Sequence, residues 1–248
     1  MAATSTARTI SEYNNATSFT CELRESRLKK CARIIDLLPV GRMLDIGCST
    51  GDWAAHWQSK GWQCAGVDID RAHVEVACDR GIDAKYCDLN RDPLPFEDQS
   101  FDLVFAGEVI EHLIDTDAFL KELNRCVRSG GSLLITTPNL TSFENRLRIV
   151  LGIYPIWVNY NLAGSGHVRA YTPGALKKQL RDHGFRIVLH KGNWVPFIPQ
   201  HFVNDIDVPW LAITGDVFPS LAMDIIVLAE RERSAAKDAD ACGTSPAV

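Results

Sequence analysis

Apolar and polar positions along this chain change their period several times. Between residues 18 and 38 the apolar positions Leu23, Cys31, Ile34, Ile35 and Leu38 recur at helical spacing. Arg42–Ile46 then reads as a short strand, Asp52–Lys60 as a helix, and Gln63–Ile69 as a second strand. A helix is predicted over Ala72–Arg80 and a third, short strand over Ala84–Cys87. The acidic, proline-bearing stretch 88–102 (DLNRDPLPFEDQSFD) is a loop, and Phe101–Ala106 a fourth strand. Val109, Ile110, Leu113, Phe119, Leu120, Leu123 and Val127 are the apolar positions of a following helix, with a break expected at Asp115–Asp117. Gly130 and Gly131 are expected to end that helix, because glycine suits a helix C-terminus. Ser132–Thr137 is a fifth strand stopped by Pro138.

Beyond it the pattern loosens. Residues 141–166 start as a helix and become aromatic and irregular. Regularity returns at 172–185, with Thr172 as N-cap, Pro173 at the first helical position and Gly184 at the end. Arg186–His190 and Met223–Ala229 read as two further strands. Apolar strands separated by helices predict an α/β fold with a mainly parallel sheet covered on both faces. Polar, small-residue ends at 1–16 and 231–248 are expected to be disordered. They flank a single domain, 17–230, with a substrate-covering insertion at about 141–171.

Composition narrows this reading. A formal charge of −5 gives no electrostatic reason to expect nucleic acid as a partner. The polar N-terminus has no apolar core of a secretory signal, and no stretch approaches the ~18 apolar residues of a membrane span. A cytoplasmic protein is expected. None of the 8 cysteines forms a CxxC pair, so a zinc ribbon is not predicted and reduced thiols are.

Ligands of such sheets bind beyond the carboxyl ends of the strands. After the first strand come Asp45 and the loop Gly47-Cys48-Ser49-Thr50-Gly51. Glycine lets a backbone approach a ligand without a Cβ in between. After the second come Asp68 and Ile69, with Asp68 21 residues beyond Gly47. An acid about 20 residues past such a loop is placed for ribose hydroxyls. After the third come Asp88 and Leu89, a polar edge beside an apolar face suited to adenine. After the fourth come Gly107 and Glu108. The loop lacks the GxGxxG spacing of a dinucleotide site and the GxxxxGK[ST] of a P-loop. Read alone, it is also compatible with glycine used only for packing.

Five segments taken in order, LDIGCSTG, GVDID, CDLN, FDLVFAGEVIEHL and GGSLLITTPN, resemble the class I S-adenosylmethionine-dependent methyltransferases across roughly residues 40–140. The resemblance implies a Rossmann-like, doubly wound, seven-stranded sheet whose last strand is antiparallel. It implies that Asp45, Gly47, Cys48, Ser49 and Gly51 surround the methionine part of the cofactor. Asp68 and Ile69 would meet the ribose, Asp88 and Leu89 the adenine, and Glu108 the sulfonium end. Ser49 stands where many members have glycine, which fits if its backbone keeps a negative φ.

Methyl transfer needs alignment and, for a protonated acceptor, a base. His167, in GSGHVRAYT, and His112, in EVIEH, are the candidate catalytic residues. Glu108, Glu111 and His112 would share a helix face if the helix begins at once. The EVIEH segment is similar to that of the ubiquinone-biosynthesis O-methyltransferases, where it is associated with a divalent metal. No metal is assigned, and these three are the candidates should one be used. Tyr154, Trp157, Tyr160, Arg169 and Tyr171 are candidate substrate contacts, and a second aromatic group lies at 193–202. The expected activity is methyl transfer from S-adenosylmethionine to a small molecule. Oxygen of a phenolic, quinone-like or sugar hydroxyl comes first, and a peripheral contact with a lipid-borne substrate is allowed. A dinucleotide-dependent oxidoreductase and an inactive methyltransferase fold used for binding are the alternatives.

Overall fold

The computed structural model describes residues 25–158, 166–197 and 209–233. The expectations for 1–16, for Leu23, for Tyr160 and for most of the C-terminal tail lie outside these residues. In chain order the elements are α1 (Ser26–Ile35), β1 (Arg42–Ile46), α2 (Asp52–Gln58), β2 (Gln63–Asp68), α3 (Arg71–Asp79) and β3 (Asp83–Tyr86). Next come β4 (Phe101–Gly107), a 3₁₀ turn at Ile110–His112, α4 (Thr116–Cys126), β5 (Val127–Pro138) and α5 (Phe143–Val150). The last are α6 (Pro173–Asp182), β6 (Phe185–Gly192), α7 (Pro209–Val217) and β7 (Asp224–Arg231).

The strands form one sheet in the order β3-β2-β1-β4-β5-β7-β6. β1 pairs in parallel with β2 and β4, β2 with β3, and β4 with β5. β7 is antiparallel to both β5 and β6, as the resemblance implied. Side chains alternate across the sheet with a period of two. Leu44, Ile46, Val104, Ala106, Leu133 and Ile135 face one layer with Phe119, Leu123 and Leu180 of α4 and α6. Met43, Leu103, Phe105 and Leu134 face the other, with Ile35 of α1 and Trp53 and Trp57 of α2. This double coverage is why the strands read as continuous apolar runs. Among the described residues no helix is long and apolar enough to cross a membrane.

Three local expectations are corrected. Gly130 and Gly131 do not end a helix: α4 stops at Cys126, and both glycines lie inside β5. There β5 bulges, its pairing with β4 jumping from Phe101↔Val127 to Leu103↔Ser132, and Gly130 takes a φ of 72°. The helix after β4 does not begin at once. Glu108 is left-handed, at φ 57°, the 3₁₀ turn follows, and Asp115 caps α4 by accepting from the Ala118 N–H at 2.9 Å. β7 runs to Arg231, one residue past the expected domain end at 230.

Candidate active site

The sheet order reverses between β1 and β4, so a crevice opens beyond their carboxyl ends. The loop after β1 is drawn over the end of β2, where the Gly47 and Cys48 N–H groups both donate to the Val67 carbonyl, at 2.8 and 2.9 Å. Gly47 and Gly51 sit at φ 71° and 79°, which explains the residue type. Ser49 is left-handed as well, at φ 47°, so the expectation of a negative φ is overturned. Its N–H donates to Asp68 Oδ2 at 2.8 Å, which holds it there. Asp68 Oδ1 accepts from the Asp70 N–H, also at 2.8 Å. One carboxylate therefore fastens the glycine loop to the start of α3.

Burial pushes the Asp68 carboxyl upward, and burial followed by the charge of Asp68 pushes Asp45 well above the carboxylate range. Cys48 is buried, and a Cβ on Gly66 would lie 2.6 Å from its sulfur, so it packs against the β2 backbone. Burial pushes its thiol upward, away from the reactive thiolate. Asp88 accepts from the Asn90 N–H at 3.1 Å, and Ile69 and Leu89 are half-buried beside these acids. This edge is built from carboxylates. It suits ribose hydroxyls.

Glu108 and Glu111 do not share a face. Thr136 and Thr137 are neighbours on β5 and therefore point to opposite sides. Thr136 Oγ1 donates to Glu108 Oε1 at 2.8 Å, and Thr137 Oγ1 donates to Glu111 Oε2 at 2.9 Å. The sequence reading missed a cation on the Glu108 side. Buried Arg27, on α1, donates to Thr136 Oγ1 at 3.0 Å, grips Glu25 at 2.8 and 3.1 Å, and has its Nε 3.8 Å from Glu108 Oε1. An arginine on the apolar face of a helix was the signal that could have found it.

On the other side Glu111, His112 and His167 bring one ligand atom each to within 4.8 Å of one another. Glu111 is 1% exposed, and its Oε1 has no hydrogen-bond partner. Burial, and then the charge of Glu108, pushes its carboxyl well above the usual range. The Glu111 carbonyl accepts from the Val168 and Arg169 N–H groups at 2.9 and 3.0 Å, which pulls the His167 segment onto the 3₁₀ turn. The His112 and His167 rings meet edge to face with centroids 4.8 Å apart. His112 Nδ1 faces the Gly166 carbonyl at 3.3 Å, and His167 Nδ1 faces the Trp157 carbonyl at 2.8 Å. A carbonyl only accepts, so a neutral ring carries its proton on Nδ1 and leaves Nε2 as a lone pair. Burial and the neighbouring His167 lower His112 to about 4. This donor set fits a divalent cation, with Glu108 outside it.

The same cluster borders a narrow crevice that includes Pro138, Leu140, Ile156, Trp157 and Arg169. Tyr154 and Trp157 are 51% and 43% exposed, so their rings have surface to offer. The Arg169 guanidinium donates to the Ile114 carbonyl. Tyr171 is buried in the core with its hydroxyl donating to Gln179 at 2.9 Å, apart from the cluster. Of the second aromatic group, Phe197 packs on Phe143 at 5.5 Å.

A family model described as a methyltransferase domain matches residues 22–190. The chain is 29% identical over 200 residues to a ubiquinone biosynthesis O-methyltransferase of Bradyrhizobium sp., covering 75% of this chain and 76% of that one. It is 31% identical over 137 residues to a malonyl-[acyl-carrier protein] O-methyltransferase of Serratia marcescens, covering 54% and 49%. A first ubiquinone relative, from Brucella anthropi, is matched over 60% of its length at 28% identity, so the chain spans only part of several relatives. A Thermotoga maritima structure described as a SAM-dependent methyltransferase, possible histamine N-methyltransferase, superposes with a TM-score of 0.63 at 20% identity, covering 91% of this chain and 98% of that one. The cyclase SpnF superposes at 0.60 with 21% identity, covering 84% and 82%. Sheet order, loop and sequence agree: the chain belongs to the methyltransferase-domain family, in the class I S-adenosylmethionine-dependent group.

Proposed function

We propose that this chain transfers the methyl group of S-adenosylmethionine to a hydroxyl oxygen of a small molecule bound beside the 3₁₀ turn. The observation that carries the reading is the meeting of His112, His167 and Glu111 beyond the carboxyl end of β4, the end at which the acids of β1 and β2 also stand. The bound cofactor supplies a methyl carbon already activated by its sulfonium. The chain does the rest. Asp68 and Asp88 accept from the ribose and adenine, and the Gly47–Gly51 loop lets the backbone approach. His167, its tautomer set by the Trp157 carbonyl, offers Nε2 to the acceptor's hydroxyl proton as the oxygen becomes nucleophilic. Trp157 walls the crevice on that side. The O-methyltransferase names among the relatives support oxygen, and a phenolic or quinone-like ring or a sugar hydroxyl is the acceptor class. The test is the rate of His167→Ala at saturating acceptor. A fall of about a hundredfold or more supports the base; a rate near wild type excludes it.

A second reading rests on the same three side chains. Glu111, His112 and His167 would hold a divalent cation that polarises the acceptor oxygen, in place of a base. Activity after chelation separates the two, since full activity in chelator removes an obligatory metal.

A further inference from the structure

We infer that Thr136 and Arg27 are positioning residues that aim Glu108 at the cationic end of the cofactor. The inference rests on the proposed cofactor reading, in which Glu108 lies beside the sulfonium. A guanidinium can only donate, so at the Arg27 Nη1 contact of 3.0 Å the Thr136 oxygen accepts. The threonine has one proton, and the remaining contact, 2.8 Å to Glu108 Oε1, takes it. The direction of the chain Arg27→Thr136→Glu108 is thereby fixed. The backbone adds a second hold: the Glu108 N–H donates to the Thr136 carbonyl at 3.1 Å, with Glu108 at φ 57°. Space is also taken up, since a Cβ on Gly107 would lie 3.3 Å from Arg27 Nη1. Glu25 takes the Nε and Nη2 side of the guanidinium, leaving Nη1 toward Thr136. Glu108 keeps 27% of its side chain exposed, so the carboxylate is pinned yet open at the cofactor edge.

The discriminating ligand pair is S-adenosylmethionine and S-adenosylhomocysteine, which share every group except the methyl and its positive charge. Calorimetry on the full chain gives the ratio of their dissociation constants for wild type, Thr136→Val, Thr136→Ser and Glu108→Gln. Thr136→Val is expected to lower the preference for the charged ligand about tenfold, the scale of one hydrogen bond to a charged group. Its affinity for the uncharged ligand should hardly change, and Thr136→Ser should restore the ratio. Because Thr136 acts through Glu108, adding Thr136→Val to Glu108→Gln should change the ratio no further. Arg27→Lys, which keeps the charge and loses the fork, should fall between wild type and Thr136→Val. Equal losses for both ligands, or additive effects in the double variant, would overturn the inference, because the residues then serve a shared part of the ligand or the fold. If wild type binds neither ligand while folded, the cofactor reading itself fails. Circular dichroism identifies a variant that does not fold, and Thr136→Ser against wild type then carries the comparison, since loss of the ratio in Thr136→Ser refutes the role of the hydroxyl.

Discussion

Replacing Asp68 with asparagine separates the two tasks that its carboxylate performs. Two backbone N–H groups, of Ser49 and Asp70, donate to its two oxygens at 2.8 Å each. Asparagine keeps one acceptor oxygen and turns an NH₂ toward the other N–H. An orphaned N–H costs about 1–3 kcal/mol. Burial already disfavours the charged carboxylate at this position, which offsets part of that cost. The expected loss of stability is therefore about 1 kcal/mol, or a Tm lower by about 2–4 °C for a domain of this size. Cofactor binding should suffer more. An ionised acceptor for ribose hydroxyls is worth about 1.5–3 kcal/mol, which raises Kd by about ten- to a hundredfold. Calorimetric unfolding of the free protein and titration with S-adenosylmethionine read the two numbers separately. A lower Tm with a Kd within about twofold of wild type would refute the ribose role and leave Asp68 as a brace for the loop.

Further substitutions probe the rest of the site. Ser49→Gly removes a side chain from a left-handed residue, so free-protein stability should rise by about 1 kcal/mol with cofactor affinity kept, as measured by urea unfolding and calorimetry. Glu111 has its folded value raised above the unfolded one of about 4.3, so the folded state holds the proton longer. Its contribution to stability is thus full below about pH 4.3 and is lost as pH rises through the folded value. Glu111→Gln has no such loss and should be at least as stable as wild type at pH 8, with the advantage shrinking toward pH 4; equal pH slopes in urea unfolding count against this. His112 has the opposite sign. Its folded value is lowered to about 4, so its contribution is present above the unfolded value of about 6.5 and is lost as pH falls to 4. Proton NMR should find its ring titrating near 4, and a midpoint at 6 or above refutes the buried neutral imidazole.

The sheet was legible because its central strands are apolar runs, most of them separated by helical periods, and double burial leaves little polar alternation to confuse them. Asp45, Asp68 and Asp88 could be placed at the sheet edge because each stands at or just past the carboxyl end of its strand. What failed was backbone conformation. A left-handed Ser49 or Glu108 leaves no mark in residue type, since each is imposed by a distant partner, Asp68 for one and Thr136 for the other. The glycine pair at 130–131 misled for a related reason. Glycine marks a positive φ, and a β-bulge uses that as readily as a helix end. Tyr171, read as a candidate substrate contact, is buried by packing beneath α6, which local pattern does not report.

The EVIEH segment shows why the acceptor side is harder to read than the donor side. Spacing puts Glu108, Glu111 and His112 on one helix face, but the left-handed Glu108 delays the helix and splits the group. Glu108 turns to Thr136, and Glu111 to Thr137, across opposite faces of the same strand. One five-residue segment thereby reaches both Thr136 and Thr137 of β5, with a carboxylate at one and a carboxyl beside two imidazoles at the other, which in the proposed reading serve the methyl donor and the acceptor. The donor side is fixed by the sheet edge. The acceptor side takes His167 and Trp157 from the segment that follows α5, joined to the turn by hydrogen bonds from the Val168 and Arg169 N–H groups to the Glu111 carbonyl. Two backbone bonds to one carbonyl fix where that segment meets the turn, while the residues of the β1–β2 edge take no part in the contact. The similar fold of the cyclase SpnF fits this division, since a shared sheet does not dictate a shared reaction.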